Sequence, residues 1–460
     1  MSRKTNKMNE IKSPEESRKS LDRIFRDLTR SITHRDEMSR FWLFILVMFA
    51  IVGVWGFIIQ IQRGLGVTGM RDYVSWGAYI ANFVFFVAVS LIGFLISSTL
   101  HLLKIEWSKP ISRVAEQVAI AAVAMAGLII VMDMGRPDRL QNVFLHGRFA
   151  SPILWDLTVV TTYLVISVLL FYLPLIPDLA LLRDRLTGVP EIQKKIYTVL
   201  ALGWKGNEEQ YRLVTHAMRI LMILLIPVGL SIHTVTSWLF ASTLRAGWDT
   251  TIFGPYFVSG AFVAGTAAVV MVMFVYRLRY RLKNYFTHHH FDMMGKLLVF
   301  VCLVYLYFNI NEFLVPGYKM RLHEGIHLRE LFAGGYSGMF WFVQIAGLIL
   351  PILLLLFKYF RRPFPMFLIS FLVLVASWFK RYVIVIPTME HPHLPVQNVP
   401  DYFKHYAPTS NEIVILLFGF VGALIIITLL AKLFPVISIW EYAHQQGIDK
   451  KYLTEKPENQ

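Results

Sequence analysis

Apolar residues occur in this chain as long unbroken runs rather than in the spacing of a half-buried element. Ten runs stand out, at 41–61, 77–103, 113–133, 153–176, 217–241, 254–276, 297–315, 339–358, 364–386 and 413–434. Each is close to the roughly 20 residues that a helix needs to cross hydrocarbon. Backbone groups in lipid must be bonded within the segment, so runs of this length read as helices. Polar breaks divide the chain into an N-terminal segment 1–40, a first transmembrane helix 41–61, four runs within 77–241, four more within 254–386, a last helix 413–434 and a tail 435–460. The pattern predicts an all-α polytopic membrane protein with about ten transmembrane helices, arranged as two four-helix bundles plus flanking helices. Within 1–40, Leu21, Phe25, Leu28 and Ile32 recur at spacings of three and four. That spacing suits an amphipathic helix at the inner membrane surface.

Composition agrees with the pattern. Of 460 residues, 56% are hydrophobic and 16% charged, and the mean hydropathy is +0.53. A net charge of +15 could mean a nucleic-acid partner, but its placement speaks against one. With the N-terminus inside, 33 of the 45 Lys and Arg lie at inner helix ends and 12 at outer ends. This is the positive-inside asymmetry. It predicts a multi-pass protein of the cell inner membrane with both termini cytoplasmic and no nucleic-acid function. The single cysteine, Cys302, lies inside an apolar run. An iron–sulphur cluster needs about four thiolates, so none is expected in this chain, and no internal disulfide can form. The first 40 residues lack the short apolar stretch and small-residue cleavage site of a signal peptide, so the first helix reads as an uncleaved anchor.

The charged interruptions carry the candidate chemistry. The third run ends in Asp133, followed by Met134-Gly135-Arg136-Pro137, and the fourth opens at Ser151-Pro152-Ile153-Leu154-Trp155-Asp156. Gly135 and Pro137 forbid a continuous helix between them. Two neighbouring helices therefore each bring a carboxylate to the hydrocarbon edge, where ionisable groups are expensive and become functional candidates. Placed on the topology, Asn82, Asp133, His146, Asp156 and His233 form an outer tier, and His101, Glu116 and His216 an inner one. Glu116 to Asp133 and His216 to His233 each span 17 residues, about 25 Å at 1.5 Å per residue. The accompanying rotation takes the tiers off a common face, which argues against a straight proton wire along one helix. A carboxylate, an imidazole and an amide below the headgroups suit a quinone ring, whose two oxygens accept hydrogen bonds and whose reduced form releases protons with its electrons. Paired histidines, His101 with His216 or His146 with His233, leave a haem b anchor open as a rival. A secondary transporter is a second rival, although it calls for interrupted helices in both halves and Pro227 is the clear break in the first. Neither His288-His289-His290 nor His391-Pro392-His393 has the helical spacing of a metal site.

Seven motifs occur in order: Gly66-Val67-Thr68-Gly69-Met70, Met134-Gly135-Arg136-Pro137, Ser151-Pro152-Ile153-Leu154-Trp155-Asp156, Ile176-Pro177-Asp178-Leu179-Ala180, Ser231-Ile232-His233-Thr234-Val235, Gly254-Pro255-Tyr256-Phe257-Val258-Ser259-Gly260-Ala261, and Lys380-Arg381-Tyr382-Val383-Ile384-Val385-Ile386-Pro387-Thr388. Over about residues 60–420 the chain resembles the NrfD/PsrC family of quinone-interacting membrane subunits. It is most similar there to long ten-helix members such as the ActC subunit of alternative complex III. The resemblance implies a non-autonomous quinone-reactive subunit of a respiratory oxidoreductase, with menaquinol or ubiquinol bound near the periplasmic side and no haem or iron–sulphur cluster of its own. It implies a peripheral ferredoxin-like iron–sulphur partner, with a molybdopterin-type catalytic subunit, a multihaem cytochrome and other membrane subunits as further partners, and a possible coupling to proton translocation. Asp133 and His146 would then be headgroup and proton partners, Asp156 and His233 would shape or bridge the pocket, Asn82 would add a hydrogen bond, and Arg136 would pin the loop or an adjacent carboxylate. Two departures accompany the likeness. Asp133 stands where similar chains carry a histidine, and Ser237 is followed by Trp238 and Leu239 rather than by an acid.

Overall fold

A computed structural model describes residues 14–34, 36–243, 245–392 and 398–454. It is built from helices, with no strand among the described residues. Among the described residues, ten helices are long and apolar enough to cross a membrane. In chain order, span 1 is Glu37–Arg63, span 2 Ala78–Leu100, span 3 Glu106–Asp133, span 4 Pro152–Tyr172 and span 5 Glu208–Ala241. Span 6 is Phe253–Arg279, span 7 His288–Lys319, span 8 Ser337–Leu356, span 9 Pro363–Glu390 and span 10 Ser410–Leu433. Spans 5 and 7 have 34 and 32 residues, about 50 Å at 1.5 Å per residue. They overrun the hydrocarbon because Glu208–Thr215 and His288–Lys296 continue the helix in polar sequence. Span 5 stays helical through Pro227.

Span 2 is the centre of the molecule. Every residue from Ala78 to Ser90 is buried, and the span packs against spans 3, 5, 6, 9 and 10. Lipid tails are as apolar as Leu, so such packing depends on close approach rather than on escape from water. Small residues on span 6 permit it: a Cβ added at Gly265 would lie 2.7 Å from the Ile92 side chain of span 2. Around this axis spans 3 and 4, 4 and 5, and 5 and 2 are in contact. On the other side spans 6 and 7, 7 and 8, 8 and 9, and 9 and 6 are in contact. Span 1 rests on span 10 and turns Phe41, Phe44, Phe49 and Trp55 outward.

The two ends of the spans differ. At one end, helix Pro14–Leu28 buries Leu21, Ile24 and Leu28 against the C-terminal helices Ile439–Gln445 and Lys450–Thr454. The apolar stripe expected to lie on a lipid surface is thus taken up largely by protein. At the opposite, distal end Gly135 turns the chain after span 3 with φ +67°, a left-handed conformation that glycine adopts without penalty.

Candidate functional site

Two neighbouring helices place the central pair of side chains. Pro152 opens span 4, with Leu154 and Trp155 N–H donating to the Ser151 carbonyl. From there Asp156, Val160, Tyr163, Ser167 and Leu170 face inward at the three-to-four spacing of one helix face. Ile153 and Trp155 point outward. On span 5 the inward face includes Gly229, Ile232, His233, Thr236 and Phe240. Packing of these two faces brings the Thr236 hydroxyl to the Asp156 carboxylate at 2.5 Å. Thr236 is one turn from His233 on the same helix. Asp156 is 7% exposed and His233 0%.

The His233 imidazole is unsatisfied. Both ring nitrogens are buried without a hydrogen-bond partner. A buried polar atom left unpaired costs about 1–3 kcal/mol, so the site retains capacity for a ligand that offers an oxygen. The ring faces Phe257 of span 6 at 5.9 Å, and Arg381 of span 9 lies over that same phenyl ring at 4.6 Å. Imidazole and guanidinium therefore share one aromatic platform between the two groups of spans.

A second polar cluster adjoins it. Lys380 is 4% exposed and sits over Tyr256 at 4.9 Å and Phe313 at 5.0 Å. Its Nζ reaches Asn309 Oδ1 at 3.5 Å, and Asn309 pairs with Gln344 at 2.7 Å. Glu312 accepts the Thr250 hydroxyl at 2.7 Å. Glu312, Lys380 and His327 line a cavity of about 30 Å³, room for about two waters. His327 lies in the loop helix Leu322–Phe332, outside the spans, and burial pushes its imidazole down to about 4, with His391 and Lys380 adding repulsion.

The remaining sequence candidates make other contacts. Asp133 Oδ1 is buried without a partner and lies within electrostatic reach of Glu412 and Tyr79. Glu412 is itself 0% exposed and accepts Tyr406 Oη, Gly69 N and Thr409 N at 2.7, 2.7 and 2.8 Å. Gln60 donates to the Met132 carbonyl at 2.6 Å and accepts from Tyr79 Oη at 2.8 Å. Asp133 thus ends span 3 beside a network that ties the distal loops to spans 1 and 10, and its buried Oδ1 makes no hydrogen bond. Asn82 accepts from Trp378 Nε1 at 3.1 Å and donates to the Leu416 carbonyl at 3.4 Å. Below it an apolar cavity of about 470 Å³ is lined by Phe85, Phe86, Trp378 and Phe420. Arg136 is exposed and grips Asp138 with two bonds of 3.0 and 2.9 Å. That surface pair holds the Asp138 carboxyl below its usual range. His146 is exposed in the loop between spans 3 and 4.

At the other end of the spans, Glu116 is 7% exposed and accepts from Ser97, while His216 is exposed. His290 belongs to the capping box of span 7. His391 Nδ1 contacts the Pro387 carbonyl, and His393 falls outside the described residues. Sequence reasoning passed over Thr236, Gln60, Gln344, Glu412 and His327. Thr236 could have been found from its place one turn past His233, Glu412 from the Thr409-x-x-Glu412 capping box, and Gln60 and Gln344 as lone amides in apolar runs. Nothing local marks His327.

Comparison with known proteins bears on this geometry. A family model described as "Polysulphide reductase, NrfD" matches residues 66–391. The chain is 28% identical over 71% of its length, and 71% of the relative's, to a putative dimethyl sulfoxide reductase membrane subunit of Halobacterium salinarum. It is 26% identical to a selenate reductase subunit of Mesobacillus selenatarsenatis, over 89% of this chain and 97% of that one. The menaquinone reductase integral membrane subunit of Nitratidesulfovibrio vulgaris is 21% identical over 84% and 90%.

Proposed function

Because the chain belongs to the polysulphide reductase NrfD family, we propose that it is the membrane subunit of a respiratory oxidoreductase and binds a quinone ring at Asp156, Thr236 and His233. The observation that carries this reading is the fully buried His233 with both nitrogens unpartnered, one turn from a threonine bonded to a buried carboxylate. The name of the Nitratidesulfovibrio relative favours menaquinone as the substrate. The basic skew towards the termini supports a cytoplasmic location for them, with the ring near the extracytoplasmic headgroups. Spans 2–5 and 6–9 serve as the two four-helix bundles, and the site lies on the inner face of the first.

Oxidation of a quinol releases two electrons and two protons. An imidazole nitrogen of His233 binds one ring hydroxyl and takes its proton, and Asp156, oriented by Thr236, takes the second. The electrons leave to an iron–sulphur subunit docked on the distal face, where His146 and the Arg136–Asp138 pair are exposed. The same contacts run the reaction in reverse when the partner is the donor. Asp133 relays protons between site and surface. In the assembled complex, Asp156→Asn and His233→Gln should each lower quinol turnover about 100-fold without loss of assembly. Wild-type turnover in both variants would contradict the assignment.

A second placement has one observation in its favour. The apolar cavity beneath Asn82 suits an isoprenoid tail, with the ring at Asn82 and Trp378. It differs from the first in the spans that a bound quinone would touch.

A further inference from the structure

A third cavity, of about 340 Å³, opens at the end that carries Pro14 and the C-terminal helices, with more than twenty times the roughly 10–15 Å³ that a water centre needs. Its wall draws on three remote parts of the chain. The turn after span 2 and the first residues of span 3 supply His101, Lys104 and Lys109. Span 5 supplies Arg219, one turn past its polar extension, and the docked C-terminal segment supplies Glu441 and Lys450. The turn is specifically shaped: Lys104 holds φ +57°, and Ile105 N–H bonds back to the Leu100 carbonyl at 3.0 Å. The C-terminal wall is fixed by Trp440, whose Nε1 donates to the Pro174 carbonyl at 2.9 Å.

Charge and polarity select the occupant. Four cations face one carboxylate across this space. The side chains of Lys104, Lys109 and Arg219 have no ion pair or hydrogen bond among the described residues, and Lys450 rests over the Tyr211 ring at 5.0 Å. Like charges gathered round a cavity repel one another unless an anion separates them. The wall is also amphipathic, with Met218 and Met222 of span 5 beside the cations and Ile220, Ile223 and Leu224 continuing exposed along that helix. A free phosphate would use the cations alone. A phosphodiester carrying acyl chains would use the cations and lay its chains on the apolar helix.

We propose that this cavity is a binding site for the phosphodiester headgroup of an anionic phospholipid, held by Lys104, Lys109 and Arg219 with its acyl chains along span 5. Basic pockets between spans on the cytoplasmic side are suited to such headgroups. Bound there, the lipid bridges spans 2, 3 and 5 to the C-terminal segment.

The full-length chain in lipid nanodiscs tests this. Native mass spectrometry of the ejected protein should show phosphatidylglycerol retained about ten-fold over phosphatidylcholine. The triple variant K104Q/K109Q/R219Q should lose that preference, and R281Q/K283Q/K358Q, which neutralises three exposed cations outside the cavity, should keep it. Equal retention by wild type and the cavity variant would overturn the proposal. Added inorganic phosphate separates the two sources of the anion: displacement of the lipid by millimolar phosphate would make the site a small-anion site and overturn the lipid reading. The wild-type chain gives an arm that needs no variant. Lipid preference must fall as salt rises from about 0.05 to about 0.5 M, because screening weakens exposed charge contacts, and a preference indifferent to salt would also overturn it.

Discussion

Two buried carboxylates at opposite ends of the spans are treated in opposite ways. Asp178, near the termini, is 0% exposed. It accepts Arg113 Nη1 at 2.6 Å and the N–H groups of Ile439 and Trp440 at 3.1 and 3.0 Å. Its lone pairs are filled, and the result is a clamp between span 3, the segment after span 4 and the C-terminal helix. Asp156, at the distal end, accepts the Thr236 hydroxyl, and beside it stands an imidazole with no partner. Burial alone does not distinguish the two carboxylates. The difference lies in what is left over: a saturated carboxylate holds the chain together, whereas an under-used one next to an unpaired imidazole has capacity for a ligand.

The sharpest break of this comparison is Asp178→Ala. Removing one partner strands the buried Arg113 charge, a loss of about 3–5 kcal/mol, so thermal unfolding of the detergent-solubilised chain should shift steeply downward or monodisperse protein should vanish. A melting temperature near wild type would remove the contrast. Next comes His327, a distal imidazole whose Nδ1 is also buried without a partner. Its folded value lies near 4 against an ordinary 6.5. Between these values the unfolded chain takes up a proton that the folded chain refuses, so stability is complete above pH 6.5 and falls as pH drops toward 4, by on the order of 3 kcal/mol at most. Melting curves across that window should flatten in His327→Gln; an equal slope would place the acid sensitivity elsewhere. The smallest effect belongs to Asp133→Asn, about ten-fold in quinol turnover, or 1.4 kcal/mol in barrier, with assembly intact. Unchanged turnover would remove Asp133 from the reaction.

Much of this was legible from the chain. The ten crossings follow from run length, and only their ends moved: the run at 217–241 became Glu208–Ala241 and that at 297–315 became His288–Lys319, because helix persists past the hydrocarbon where polar sequence continues it. The seven motifs led to the family that the comparison finds over residues 66–391. Residue type and depth marked out Asp156 and His233. Their neighbours were not legible, since contacts between spans depend on the rotation of each helix, which run length does not encode. Thr236 meets Asp156 across 80 positions, and Arg381 shares the Phe257 ring with His233 from another group of spans. The sequence likewise joined Asp133 with Asp156 as neighbours along the chain, and it gave no sign that Asp133 lies within electrostatic reach of Glu412. The glycine-rich motif at 66–70 becomes intelligible only there, where Gly69 N–H binds Glu412.

The most direct test of the central claim is the site of a photoreactive azidoquinone cross-link in the assembled complex, read by peptide mapping. The account predicts label on Pro152–Tyr172 and Glu208–Ala241, lost when excess menaquinone competes and weakened in His233→Gln. Label confined to spans 2, 9 and 10, around Asn82 and Trp378, would contradict it.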